Sequence, residues 1–137
     1  MKEMKYKPQH ETEILHTGEF LGYTFFILSL GTHPTAYVKL TPKNKLFGRN
    51  YMNYDGDEDI FVHGGITYAT DHLCISVNNK IKTLDGWWIG WDYAHAGDYT
   101  ALFDVVEKYH FPNKKWKTEE IFEDVKSVCE QLKKMEV

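Results

Sequence analysis

The chain predicts an α+β fold: an antiparallel sheet of about five or six strands, with a C-terminal amphipathic helix and a short second helix packed on one face. Three observations predict it. Short apolar runs rich in aromatic and β-branched residues recur between glycine, proline and asparagine turns. Towards the C-terminus that pattern gives way to a helical stripe. At 137 residues the chain has the length of one domain, residues 1–137, enough to bury a core.

Residues 1–10 are charged and contain Pro8, the pattern of a loose N-terminal arm or an edge strand. Residues 11–17 read as the first strand of a meander. The strongest strand signal is residues 21–30, where Phe25, Phe26, Ile27 and Leu28 lie between Gly22 and the turn Gly31-Thr32-His33-Pro34. Residues 35–40 pair with it across that turn as a hairpin. Residues 42–59 hold no periodicity and read as a solvated loop. Their Asp55-Gly56-Asp57-Glu58-Asp59 run is no calcium loop, because the glycine is misplaced and Ile66 stands where a bidentate glutamate would close it.

Residues 60–63, 73–77 and 87–92 predict three more short strands, separated by Gly64-Gly65 and Asn78-Asn79. Alternation along the last of them puts Trp88 and Gly90 on the side of Asp92, and Trp87, Ile89 and Trp91 on the other. Residues 100–109 have the apolar spacing of the short helix. Thr118 is placed to cap the C-terminal helix, with Glu119 and Glu120 at the positive end of its dipole. Ile121, Phe122, Val125, Val128, Cys129, Leu132 and Met135 then form one apolar stripe, which makes Cys129 a core thiol.

A formal charge of −4 is too mild for a nucleic-acid binder or a duplex mimic, so no direct nucleic-acid partner is expected. The charge is uneven: residues 55–107 carry ten acidic side chains against Lys80 and Lys82. A negative middle segment suits a cation or a basic protein partner, and equally a set of solvated acidic loops. The two cysteines form no CxxC pair, no apolar run has membrane-spanning length, and the polar start shows no leader. These features predict a cytoplasmic protein with free thiols, a monomer or small homo-oligomer without membrane association.

Two islands concentrate the chemistry: Val62-His63-Gly64-Gly65-Ile66-Thr67-Tyr68 and Gly90-Trp91-Asp92-Tyr93-Ala94-His95-Ala96-Gly97-Asp98-Tyr99. Imidazole and carboxylate are zinc ligands, and the glycines allow close backbone approach. His63, Asp92, His95 and Asp98 are therefore the candidate metal ligands. Two carboxylates and an imidazole within seven residues are costly to bury unless a cation or donors satisfy them. For His63 alone, a half-buried histidine bonded to a backbone carbonyl is the competing expectation. His72 and Cys74 share a strand face as further potential ligands, although the apolar neighbours of Cys74 favour a buried thiol. Thr67 and Tyr68 are candidate donors to an anion or a carboxylate. His10, His16, His33 and His110 have no constellation around them. Phosphate-binding glycine loops, HExxH helices and nucleophile-elbow serines are all missing.

His63-Gly64-Gly65-Ile66-Thr67-Tyr68 together with Gly90-Trp91-Asp92-Tyr93-Ala94-His95-Ala96-Gly97-Asp98 resembles a group of small phage and prophage proteins, over the middle third of the chain. In size, cytoplasmic character and histidine–aspartate site, the chain also resembles the metal-containing anti-CRISPR proteins. That resemblance implies an inhibitor whose partner is a type II CRISPR effector nuclease, blocking DNA loading or cleavage, with zinc holding the fold.

Two functional classes follow. In a binding module, His63, Asp92, His95 and Asp98 close a four-ligand zinc sphere as a structural staple, and catalytic residues are not required. In a metal-dependent hydrolase acting on a phosphoester, nucleotide or amide, three ligands leave a position for water. Asp92 or Asp98 would then serve as general base, and Trp88, Trp91 or Tyr93 could stack on a base, although aromatic residues beside a strand are more often core.

Overall fold

The computed structural model describes residues 1–8, 12–104 and 113–137. These described residues form a five-stranded antiparallel sheet and one α-helix, as the α+β expectation requires. The strands are β1 (Glu13–Phe20), β2 (Tyr23–Ser29), β3 (Pro34–Leu40), β4 (Tyr68–Val77) and β5 (Lys80–Asp92), in the order β1-β2-β3-β5-β4. The helix α1 is Thr118–Lys133.

β2 and β3 alternate apolar side chains towards α1, and Phe25, Ile27, Ala36 and Val38 are sealed beneath it. From the helix side Ile121, Val125, Val128, Cys129 and Leu132 fill the same core, the stripe expected from the sequence. Burying each of the larger aliphatic side chains is worth about 1.5–3 kcal/mol, so this interface holds the helix on the sheet.

The β4–β5 hairpin turns at Asn78-Asn79, both with positive φ, the requirement of a two-residue hairpin loop. Its outer half extends past β3, which pairs only with residues 87–92 of β5. β4 also touches β1, at the opposite edge of the sheet, so the sheet curls over on itself. Leu73, Ile75 and Trp88 thereby join Leu28, with Phe26 and Ile14 beside them, in a second apolar cluster. The alternation expected for β5 holds: Ile89 and Trp91 enter the helix-side core, while Trp88 enters the second cluster.

Several local expectations are corrected. Residues 60–63 form no strand: among the described residues they pair with no neighbouring strand, and His63 stands in a turn. Thr118 is the first helical residue, not the cap; its hydroxyl donates to the Lys2 carbonyl at 2.6 Å, while the Lys117 amide donates to Glu120 Oε1 at 3.0 Å. Residues 1–8 are not loose. Met4 is buried, and the Lys2 and Lys7 amides donate to the Leu15 and Gly31 carbonyls. Residues 9 and 10 of the expected arm lie outside the described residues.

Glu58, in the loop expected to be solvated, is buried and paired with Arg49. Cys74 is exposed, because strict alternation turns Leu73 and Ile75 inward and leaves the thiol outside. Over the predicted short helix the chain makes one 3-10 turn, Ala101–Asp104, and residues 105–109 lie outside the described residues, as do His10 and His110. Among the described residues no helix is long and apolar enough to cross a membrane.

Candidate functional site

Each of the two islands folds into a glycine turn. In the first, the Gly65 amide donates to the Val62 carbonyl at 2.9 Å, and Gly64 takes the third position with φ +70. In the second, the Asp98 amide donates to the His95 carbonyl at 2.9 Å, with Gly97 at the third position and φ +93. Positive φ at that position is what a type II turn needs, and glycine adopts it without a Cβ penalty. The second turn leaves β5 through Asp92, whose Oδ1 accepts from the Ala94 amide at 3.1 Å.

The turns meet at Asp98. Its carboxylate is almost fully buried, and Oδ2 accepts from His63 Nε2 at 2.7 Å and from the His95 amide at 3.0 Å. Oδ1 accepts from the Trp116 indole at 2.8 Å. Burial alone would raise this carboxyl, but the bonds from His63, Trp116 and the His95 amide outweigh it and hold Asp98 below the usual carboxylate range. Donors therefore satisfy Asp98 without a cation.

The His63 ring lies parallel to Tyr93, with centroids 5.1 Å apart and an interplanar angle of 4°, and Trp116 packs at 4.7 Å. Tyr93 is itself fixed: its hydroxyl donates to Asp124 at 2.6 Å and accepts from the Trp91 indole at 2.9 Å. The result is an imidazole with one nitrogen engaged by a buried carboxylate and its plane set by two aromatic rings, the support a catalytic or metal-binding histidine requires.

His95 stands edge-on to His63, ring centroids 5.9 Å apart. Its Nε2 is buried and makes no hydrogen bond, although Asp92 Oδ1 is 3.3 Å away. The close approach of Gly64 makes this placement possible: a Cβ on Gly64 would fall 2.2 Å from that nitrogen. All four sequence candidates thus lie in one chain of contacts, from His63 through Asp98 and His95 to Asp92. Among the described residues no set of three histidine, cysteine or carboxylate side chains stands ready to hold a metal ion.

Other candidates separate from the cluster. His72 pairs with Asp71 at 2.8 Å, and Cys74 lies 3.7 Å from the Thr83 hydroxyl, both on the exposed hairpin. The Thr67 hydroxyl donates to Asp92 Oδ2 at 3.3 Å, and Tyr68 donates to the His72 carbonyl at 2.9 Å. Trp88, Trp91 and Tyr93 are buried in the cores, the commoner place for aromatic residues beside a strand, and do not offer a ring for a ligand to stack on. His16, given no role, packs edge-on against Phe25 and Phe122. Trp116 was invisible to motif reasoning: it sits among lysines outside both islands and reaches Asp98 only through the fold.

Comparison of the chain with protein-family models, with curated proteins and with solved structures gives no match.

Proposed function

We propose that the chain binds a divalent transition ion, zinc foremost, between His95 and Asp92, in a site left open for water. The observation that carries this reading is the sealed His95 Nε2. A buried imidazole nitrogen without a hydrogen bond is costly, and Asp92 Oδ1 stands 3.3 Å away in a geometry that makes no hydrogen bond. Two ligands at about 2.0–2.1 Å from a tetrahedral ion stand roughly 3.3–3.4 Å from each other, so the separation is that of a ligand pair.

Ligand count favours an open site over the four-ligand staple. Asp98 would have to release the hydrogen bonds from His63, the His95 amide and Trp116 before serving as a ligand. Its role in this reading is to orient His63, as buried carboxylates orient the histidines around metal sites. His63 then either completes the ligand set or takes a proton from water beside the ion, the task first assigned to Asp92 or Asp98. Bound there, the ion would supply the acidity that brings the pKa of water towards neutrality. Metal-assisted hydrolysis is the reaction class that follows.

The test is a zinc titration of chelator-treated protein, followed through the histidine ring resonances. Saturable shifts in the His95 ring signals, absent in Asp92→Asn, support the site; unchanged His95 signals at excess zinc dismiss it. Inhibition of a type II CRISPR effector nuclease is a separate proposal that rests on the resemblance in size, cytoplasmic character and histidine–aspartate site alone. Undiminished DNA cleavage in the presence of excess protein would remove it.

A further inference from the structure

On the sheet face opposite α1, the first residues of β3 and the last residues of β5 enclose a second polar feature. Thr35 pairs with Asp92 across the two strands, and Tyr37 pairs with Gly90. With Leu30, His33, Thr67 and Tyr68, these residues line a cleft of about 220 Å³. Gly90 shapes its wall: a Cβ there would meet the Tyr37 ring at 2.5 Å, so only glycine lets that ring lie down on β5. Tyr68 closes the corner, its ring 5.1 Å from Tyr37 at 79°.

The Thr35 hydroxyl is the feature that calls for a ligand. Thr35 is 3% exposed, and its Oγ1 lies near the Tyr37 phenol without a hydrogen bond of ordinary geometry. A buried hydroxyl without a partner costs about 1–3 kcal/mol, and a valine would fill the same space without that cost. Facing the same cleft, Asp92 Oδ2 accepts a long 3.3 Å bond from Thr67 and, among the described residues, no other.

We propose that this cleft binds an uncharged, hydroxyl-bearing group of about sugar size. A ligand hydroxyl both donates and accepts, so it can donate to Asp92 Oδ2 and accept from Thr35 or Tyr37 at once. Among the described residues no lysine or arginine lines the cleft, and Asp92 opposes phosphate or carboxylate. An ammonium group only donates, so it leaves the Thr35 hydroxyl proton without an acceptor. The Tyr37 and Tyr68 rings offer the flat apolar walls on which the carbon face of a sugar packs. The inference shares Asp92 with the proposed ion but does not require the ion.

The experiment is ligand-observed NMR on chelator-treated, full-length protein with ribose, glucose and adenosine. Ribose phosphate and butylamine serve as charged comparators. Saturable binding of a neutral sugar or nucleoside, weakened about three- to tenfold in Thr35→Val and Tyr37→Phe, is the expected result. Thr35→Val should also melt no lower than the parent, since it removes an unpartnered hydroxyl. Failure of all three neutral ligands to bind, preference for either charged comparator, or undiminished binding by Thr35→Val would overturn the proposal. Because no metal is present, none of these outcomes is confused with failure of the ion site.

Discussion

Gly64 and Gly65 are adjacent glycines with nearly the same backbone, φ +70 and +74, yet they face different surroundings. A methyl group on Gly65 meets nothing within 4 Å, so Gly65→Ala carries only the cost of a side chain in the left-handed region, about 1 kcal/mol. On Gly64 the same methyl falls 2.2 Å from His95 Nε2 and 2.3 Å from its Cδ2, where ordinary contact begins at 3.4 Å. The imidazole must retreat by about an ångström, out of its place beside Asp92. Overpacking of this kind adds about 1–3 kcal/mol, so Gly64→Ala should lose about 2–4 kcal/mol in all. Urea denaturation of the two variants measures the difference directly. The double variant Gly64→Ala/His95→Ala should recover most of the excess, because the colliding ring is gone. Equal losses for the two glycines, or no recovery in the double variant, would refute the packing of His95 against the first turn.

Three further outcomes follow from the same geometry. Asp98→Asn should cost about 2–3 kcal/mol near neutral pH, since an amide nitrogen must then face one of the donors His63, His95 or Trp116. Because the native Asp98 carboxyl is held below its ordinary value, its stabilisation is complete above the unfolded pKa of about 3.9 and is lost as the pH falls through the native value. The stability gap between parent and variant should therefore narrow below about pH 4, as acid-range denaturation curves will show. Cys74 should react with a thiol reagent in the native protein, while Cys129, buried and pushed up to about 12, should react only on unfolding.

The parts of the fold legible in the sequence are those where one face is buried and the other is not. β2, β3 and α1 show their period because α1 packs on the sheet, so apolar spacing and burial coincide. The hairpin was foreseen too short: residues 80–85 of β5 are largely exposed, with Ile81 77% accessible, so no apolar alternation marks them as strand. Residues 60–63 show the reverse, an apolar stretch without a strand partner. In the site, spacing by threes put Asp92, His95 and Asp98 in reach of one another because a glycine turn follows β5 directly. The roles within that group were not legible. Whether Asp98 is a ligand or an orienting carboxylate depends on Trp116, which the topology alone delivers. The Thr35 hydroxyl was equally hidden, since a threonine on a strand carries no motif.

The central claim is that His95 and Asp92 hold an ion, and elemental analysis of protein purified without chelators tests it most directly. The account predicts about one zinc or similar divalent ion per chain in the parent. That content should be lost in His95→Ala and in Gly64→Ala, and retained in Gly65→Ala. Absence of metal from the parent, or undiminished content in His95→Ala, would contradict it and leave the cluster as a hydrogen-bonded clasp between two glycine turns.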